Sequence, residues 1–366
     1  MSTQAITTGV RGGSERPVRR YRPSGPVLGL ISLLLLFILL LAWRGQLGNF
    51  FSLDNIQVLL HKNSIPAVAA LGMLLIIVSG GIDLSIGSVV ALVTVVCMQT
   101  YRLVYDGPEA TLPDWLSLLL TQAGLTWEPT RSAALASGAA IPAGLVVGTL
   151  AGVCNGLVVT RLRVPPFVAT LGMLSIARGL AVWLAARKRV SFSGRRPGWV
   201  DALSRASSDT LLFDPGVWSL ALLAVGMVAL MRFTVFGRYC YAIGSNEQTA
   251  RLCGVAIDRT KVWIYAVAGL LTGWAGILLF AHANGGDPSA AVGLELDVIA
   301  AVVIGGASLS GGQGTVGGTL LGVLILGILE NGVSFFDVPV EVKYILIGAI
   351  VVVNTALSGW QRRRSE

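Results

Sequence analysis

The sequence predicts an all-α membrane protein, a polytopic bundle of about ten transmembrane helices. Three observations carry that expectation. The chain is 54% hydrophobic and only 13% charged, with a mean hydropathy of +0.74, whereas soluble domains carry about 25% charged residues. Its apolar runs are continuous at spanning length, while the strands of a membrane barrel would alternate. Its cations gather in short clusters beside those runs, as in membrane-flanking loops, so the net charge of +8 is no sign of nucleic-acid binding.

Taken in order, residues 1–26 are polar and basic, with Arg11, Arg16, Arg19, Arg20 and Arg22. They read as a disordered cytoplasmic tail. The membrane domain then occupies residues 27–361. Its predicted spans are 27–43, 57–80, 84–104, 132–159, 165–185, 216–232, 262–283, 295–309, 315–335 and 342–359. The first is a retained helix rather than a signal peptide, because Trp43-Arg44-Gly45-Gln46 is a poor cleavage site. Residues 362–366 form a second cytoplasmic tail, opening with Arg362-Arg363-Arg364. An even number of spans places both termini on one side, and both carry arginines.

Loop charges follow the same orientation, with one exception. Arg161 and Arg163 fall in a cytoplasmic turn, and the loop from Arg232 to Lys261 holds Arg238, Arg251 and Arg259. Asp106 to Thr130 is expected outside, with four acids and no Lys or Arg. The exception is the stretch from Arg187 to Arg205, also expected outside, which adds Lys188, Arg189, Arg195 and Arg196.

The stretch Gly80-Gly81-Ile82-Asp83-Leu84-Ser85-Ile86-Gly87-Ser88 carries the only acid between Lys62 and Arg102. A carboxylate at membrane depth is paired, wet or at a helix end. Asp83 either caps the following helix, with Ser85 in its first turn, or lines the pathway; both readings stand. Gly305-Gly306-Ala307-Ser308-Leu309-Ser310-Gly311-Gly312 repeats the Gly-Gly-x-polar-Leu-Ser-x-Gly pattern, the mark of two related halves if the repeat is genuine. Two glycine ladders, Gly144-Gly148-Gly152-Gly156 and Gly314-Gly318-Gly322, recur every four residues and so predict close helix packing. Asn155 beside the first ladder is either an interhelical hydrogen bond or a ligand contact. Glu295 and Asp297 suit a helix N-terminus. Arg178 and Glu330 are expected to pair inside the bundle.

No catalytic constellation emerges. Gly312-Gln313-Gly314-Thr315-Val316-Gly317 matches G-x-G-x-x-G but lacks the strand-turn-helix of a soluble dinucleotide fold. None of the four lysines follows the glycine that a P-loop demands. His61 and His282 are far apart, and Gly306 to Ser310 misses the nucleophile elbow at its last position. Cys97, Cys154, Cys240 and Cys253 show neither metal spacing nor a disulfide framework. No cofactor or metal is expected. Between Phe236 and Lys261, Asn246 is placed to cap a short helix, with Glu247 in its first turn and Gly254 ending it. That helix is either a knob for a cytoplasmic partner or a surface helix without one.

These stretches, together with Pro165 to Met173, Gly237 to Lys261 and Glu295 to Gly318, resemble the permeases of bacterial sugar-importing ABC transporters of the ribose/xylose/galactose type. The resemblance covers most of the chain after about Asn49. It implies a dimeric inner-membrane permease, a homodimer or heterodimer, working with separate ATPase subunits and an extracytoplasmic sugar-binding protein. It makes the short helix a coupling element, with Gly244, Asn246, Glu247, Ala250 and Gly254 at the ATPase. Neutral sugars need hydroxyl and amide side chains rather than a charged trap. Asp83, Ser85, Asn155, Thr170 and Asn331 are the candidates for the pathway or its gate. The alternatives are an ABC permease for nucleosides or branched-chain amino acids, and an ion-coupled secondary transporter.

Overall fold

A computed structural model describes residues 25–108, 128–194, 196–206 and 212–336, with isolated positions at 111, 118, 122, 345 and 348. The described elements are helical apart from one two-residue strand pair. In chain order they are α1 (Gly25–Trp43), α2 (Leu47–Phe50), α3 (Leu53–Val78), α4 (Ile86–Tyr105), α5 (Ala133–Arg161), α6 (Pro166–Leu184), β1 (Val190–Ser191), α7 (Gly198–Ser204), α8 (Pro215–Phe233), α9 (Val235–Ser245), α10 (Glu247–Leu252), α11 (Ile257–Ala283), β2 (Gly285–Gly286), α12 (Leu294–Ile304) and α13 (Val316–Ser334). Seven helices, α3, α4, α5, α6, α8, α11 and α13, are long and apolar enough to cross a membrane. The last expected span, 342–359, apart from positions 345 and 348, and the tails over 1–24 and 362–366 lie outside the described residues.

Local chemistry sets the helix ends. Ser52, Ser132, Thr234 and Thr315 each accept a backbone N–H as the N-cap of α3, α5, α9 and α13. Asp214 caps α8 through the N–H groups of Gly216 and Val217, with Pro215 pre-set at the first helical position. At its far end α3 stops in a left-handed glycine. Gly80 has φ +83°, and Gly81 N–H reaches back to the Ile76 carbonyl at 2.9 Å. α12 stops in the same way: Gly306 has φ +90°, and Ala307 N–H reaches the Val302 carbonyl at 3.1 Å. The two Gly-Gly links thus share an exit geometry, one residue out of their sequence register.

α3, α4 and α11 form the buried centre, and α6 and α8 present the most apolar surface. The first glycine ladder lies where α5 crosses α11. A Cβ at Gly148 would come within 2.6 Å of the Gly269 carbonyl, and one at Gly156 within 2.9 Å of the Val262 Cα. One at Gly152 would strike the Tyr265 carbonyl, and one at Gly144 would meet the Cys97 sulfur at 2.5 Å. The second ladder is shorter than the spacing predicts. Gly318 and Gly322 face Gly305 and Ala301 of α12, but Gly314 precedes α13, because Thr315 caps the helix there.

The span expected at 295–309 is a larger departure. α12 has eleven residues; at ~1.5 Å each they cover ~16 Å, about half of a ~30 Å hydrocarbon core. The chain reaches α12 through an irregular segment, largely of turns over 288–293, that lies beside α4. Asp287 N–H donates to Thr94 at 3.1 Å, and the Ala291 carbonyl lies against Gly87. The crossing therefore combines an irregular stretch with a half-length helix. Such backbone is tolerated at membrane depth only where protein or a cavity surrounds it.

The two loops expected outside share one end of the bundle. Asp106 pairs with Arg131 at 3.2 Å and accepts the Ser193 hydroxyl, so the acidic and basic loops touch. β1 of the basic loop pairs antiparallel with β2, Val190 opposite Gly286. α10 lies at the other end, with the Gly-Gly links.

Candidate functional site

Four of the five pathway candidates meet at the link between α3 and α4. Ser85 donates to Asp83 Oδ1 from its N–H at 2.7 Å and from its hydroxyl at 2.6 Å. Asn155 of α5 donates to the Ser85 hydroxyl at 3.0 Å. The Thr170 hydroxyl of α6 accepts from the Leu84 N–H at 3.1 Å and lies 3.2 Å from the Ile82 carbonyl. α4 begins at Ile86, so Asp83 stabilises the turn before the helix rather than the cap itself, and Ser85 stands at the cap position. The cluster is closed: Asp83 is 6% exposed and Thr170 0%. The fifth candidate, Asn331, is elsewhere. It exchanges reciprocal amide hydrogen bonds with Asn55 at 2.8 and 3.0 Å, tying α13 to α3.

Arg178 does not pair with Glu330. Its guanidinium donates to the carbonyls of Pro288 and Ala290 at 2.7 and 2.9 Å, pinning the turns before α12 from α6. These two carbonyls lie outside any helix or strand, so they are open to the cation. Glu295 and Asp297 occupy the first turn of α12, as a helix N-terminus favours.

At the far end, α10 is built as its residues dictate. Asn246 Oδ1 accepts the Thr249 N–H at 2.9 Å, and Gly254, φ +84°, closes the C-terminus. Lys261 binds Glu247 at 2.7 Å, with Arg251 at 3.4 Å. Burial works against Glu247 ionising. The hydrogen bond and charge of Lys261, aided by Arg251, outweigh burial and hold the carboxyl below its ordinary range. Ala250 is 4% exposed and seated on Ile243 and Ile257 of its own chain, whereas Leu252 is 89% exposed. Gly244 is a close crossing: its neighbours are the Val78 carbonyl and the backbone of Gly311 and Gly312. Gly312 N–H also donates to the Val78 carbonyl at 2.8 Å. One joint thus connects α9 to both Gly-Gly links.

Sequence reasoning missed two features. Gly269 and Gly273 of α11 interlock with the first ladder, and their four-residue spacing was the available sign. The two histidines, remote in sequence, stack with ring centroids 3.8 Å apart, and His61 bonds the buried Asp214 at 3.0 Å. Nothing in the sequence pairs them.

An all-α bundle of apolar spans, with a broken crossing in its wall and a capped short helix at one end, is the architecture of a polytopic membrane protein. The chain belongs to the family of permease components described as the branched-chain amino acid transport system, whose model matches residues 55–355. It is 33% identical to the ribose import permease protein RbsC of Escherichia coli K12, over 91% of this chain and 96% of that protein. It is 31% identical to the L-arabinose ABC transporter permease protein AraH of Azospirillum brasilense, over 94% and 92% respectively. It is also 31% identical to the xylose transport system permease protein XylH of E. coli K12, over 93% of each. No solved structure matches the chain.

Proposed function

We propose that this permease carries a monosaccharide, a pentose or hexose, into the cytoplasm. Separate ATPase subunits drive it, and an extracytoplasmic binding protein supplies the sugar. One observation carries this reading. The relatives named for ribose, arabinose and xylose match over more than nine-tenths of both chains, so the likeness is not confined to one part of the protein. The family's description leaves branched-chain amino acids in view, and the near-full-length relatives favour sugars. Hydroxyl and amide side chains dominate the polar groups of the bundle, as a neutral polyol requires. The chain holds no P-loop, so energy must arrive through a contact, and α10 with its exposed Leu252 is the fitting place. We assign Asp83, Ser85, Asn155 and Thr170 to a brace that holds the α3–α4 link. A second permease copy and lipid cover the apolar faces of α6 and α8.

The test is uptake into proteoliposomes holding the permease, its ATPase and its binding protein. Labelled ribose, xylose, arabinose, leucine and a nucleoside are compared, with and without ATP. ATP-dependent pentose uptake that survives a proton ionophore supports the reading. Leucine or nucleoside uptake alone, or uptake driven by a proton gradient without ATP, overturns it.

A further inference from the structure

We propose that His61, His282 and Asp214 form a one-proton latch, which ties α3, α8 and α11 together at the end opposite α10 and loosens when the medium there supplies a second proton. His61 lies in the third turn of α3, His282 in the last turn of α11, and Asp214 caps α8. The two imidazole rings stack with centroids 3.8 Å apart and planes 16° from parallel. His61 Nδ1 lies 3.0 Å from Asp214 Oδ2, while Asp214 Oδ1 accepts the N–H groups of Gly216 and Val217. An ionised carboxylate only accepts, so the hydrogen in the first bond sits on His61 Nδ1. The Asp214 side chain is fully buried, and His61 is buried beside it. His282 Nε2 is buried too and has no hydrogen-bond partner.

Charge sets the capacity of this cluster. One extra proton makes an imidazolium that balances Asp214, a pair a buried site tolerates. A second puts two cations face to face where little water screens them, and the new N–H at His282 Nε2 finds no acceptor. Asp214 and the neighbouring ring are the charged or titratable groups that act on His282. The other ionisable groups at this end are engaged elsewhere. On α4, Tyr101 stacks on Tyr105 and Phe192, and Arg102 pairs with Asp106, which also holds Arg131 before α5. Asp201 of α7 pairs with Arg196, and Asp287 after β2 accepts from Ser289. Asp297 and Glu330 line a hollow at Asn63, two residues from His61 and so about 200° round α3. Arg189 and Arg196 donate to the Ala283 carbonyl and the Asn284 side chain, so positive charge already borders His282. The same two bonds tie the end of α11 to the basic loop, next to the β1–β2 pair. Parting the stack therefore frees the end of α11 from α3 at the place where the outer loops join the bundle.

The chain has two histidines, so ring-¹⁵N labelling of protein purified without a histidine tag reports each ring separately. In nanodiscs titrated from about pH 8 to about 4.5, the pair is expected to hold one proton over the upper range. Entry of the second should coincide with a loss of amide protection over 280–286, corrected for intrinsic exchange. His282→Phe keeps a flat ring on the stack and removes the second proton, so its protection should stay level throughout; His282→Gln serves if the phenylalanine variant folds poorly. In proteoliposomes with the interior held near neutral, ATP-dependent ribose uptake by the wild type should fall about threefold or more on acidifying the outside, and His282→Phe should lose most of that fall. Rings that titrate independently near the ordinary ~6.5 would overturn the latch. So would a single shared proton down to the lowest pH with unchanged protection, which makes the cluster a permanent tie, or a His282→Phe uptake profile that follows the wild type. The uptake arm rests on the sugar-permease reading; if no ribose enters at any pH, that reading is at fault, and the ring signals and amide protection still decide the latch.

Discussion

At Asp83 one buried oxygen carries two hydrogen bonds. Its Oδ1 accepts both donors of Ser85, and Asn155 and Thr170 complete the knot from α5 and α6. Asparagine keeps a carbonyl oxygen at that place, whereas alanine leaves the Ser85 N–H unsatisfied, at about 1–3 kcal/mol. Asp83→Asn is therefore expected to insert normally and to keep uptake within about threefold, a fraction of the ~1.4 kcal/mol that separates tenfold steps. Asp83→Ala should lower the folded yield and the melting temperature in detergent. Near-complete loss of uptake by the asparagine variant at normal protein level would make the residue a gate instead. The sequence singled out these four residues as polar atoms in apolar runs. It had no means of showing that they touch, since Asp83 lies in the α3–α4 link and Thr170 on α6, and only the fold brings them together. The partnership of Asn331 with Asn55 was illegible for the same reason.

Among the elements, α10 was readable in full because its instructions are local: an Asn cap, an acid in the first turn and a terminal glycine. Its orientation was not. Ala250, small enough to suit a partner's groove, turns inward onto Ile243 and Ile257, and Leu252 takes the exposed position. Leu252→Asp is expected to insert and dimerise normally but to lose most ATPase binding in a pull-down, as an exposed apolar anchor does at an interface. Ala250→Trp should overpack the chain's own seat, by about 1–3 kcal/mol, and raise amide exchange across 246–254. Full ATPase binding by Leu252→Asp would remove α10 from the contact. The Glu247 tie adds a pH dependence. Its folded value lies below the ordinary 4.5, so its contribution is complete above that pH and is lost as pH falls through the folded value. The protection of the α10 amides, corrected for the slower intrinsic exchange at lower pH, should be flat from pH 7 to about 5 and fall only below ordinary glutamate titration. α12 was misjudged for a different reason. Hydropathy registers the apolar run through Leu309 but not the left-handed glycine that stops the helix, although Gly305-Gly306 repeats the sign already given by Gly80-Gly81.

For the whole molecule, the broken crossing decides the topology. With α1, the seven spanning helices make eight crossings among the described residues, and there is a ninth if the stretch from β2 to the second Gly-Gly link also crosses. It does: Gly286 pairs with Val190 at one end, and Gly312 bonds Val78 at the end bearing α10. α1 starts at that same end, since its Pro26 ring lies 3.6 Å from where a Cβ of Gly306 would stand. α1 therefore begins beside α10. The positive-inside rule predicts that this end is cytoplasmic, and labelling from the two sides tests it. The cations from Arg187 to Arg205 oppose the rule, but the contacts of Asp106 with Arg131 and Ser193 hold that loop beside the acidic one. Single cysteines at Thr111 and Arg196 should react with an impermeant thiol reagent in intact cells. One at Leu252 should react only after the membrane is opened, with Cys154 and Cys253 replaced by serine. Labelling of Leu252→Cys in intact cells, with Thr111→Cys protected, would invert the protein and put α10 out of reach of any ATPase.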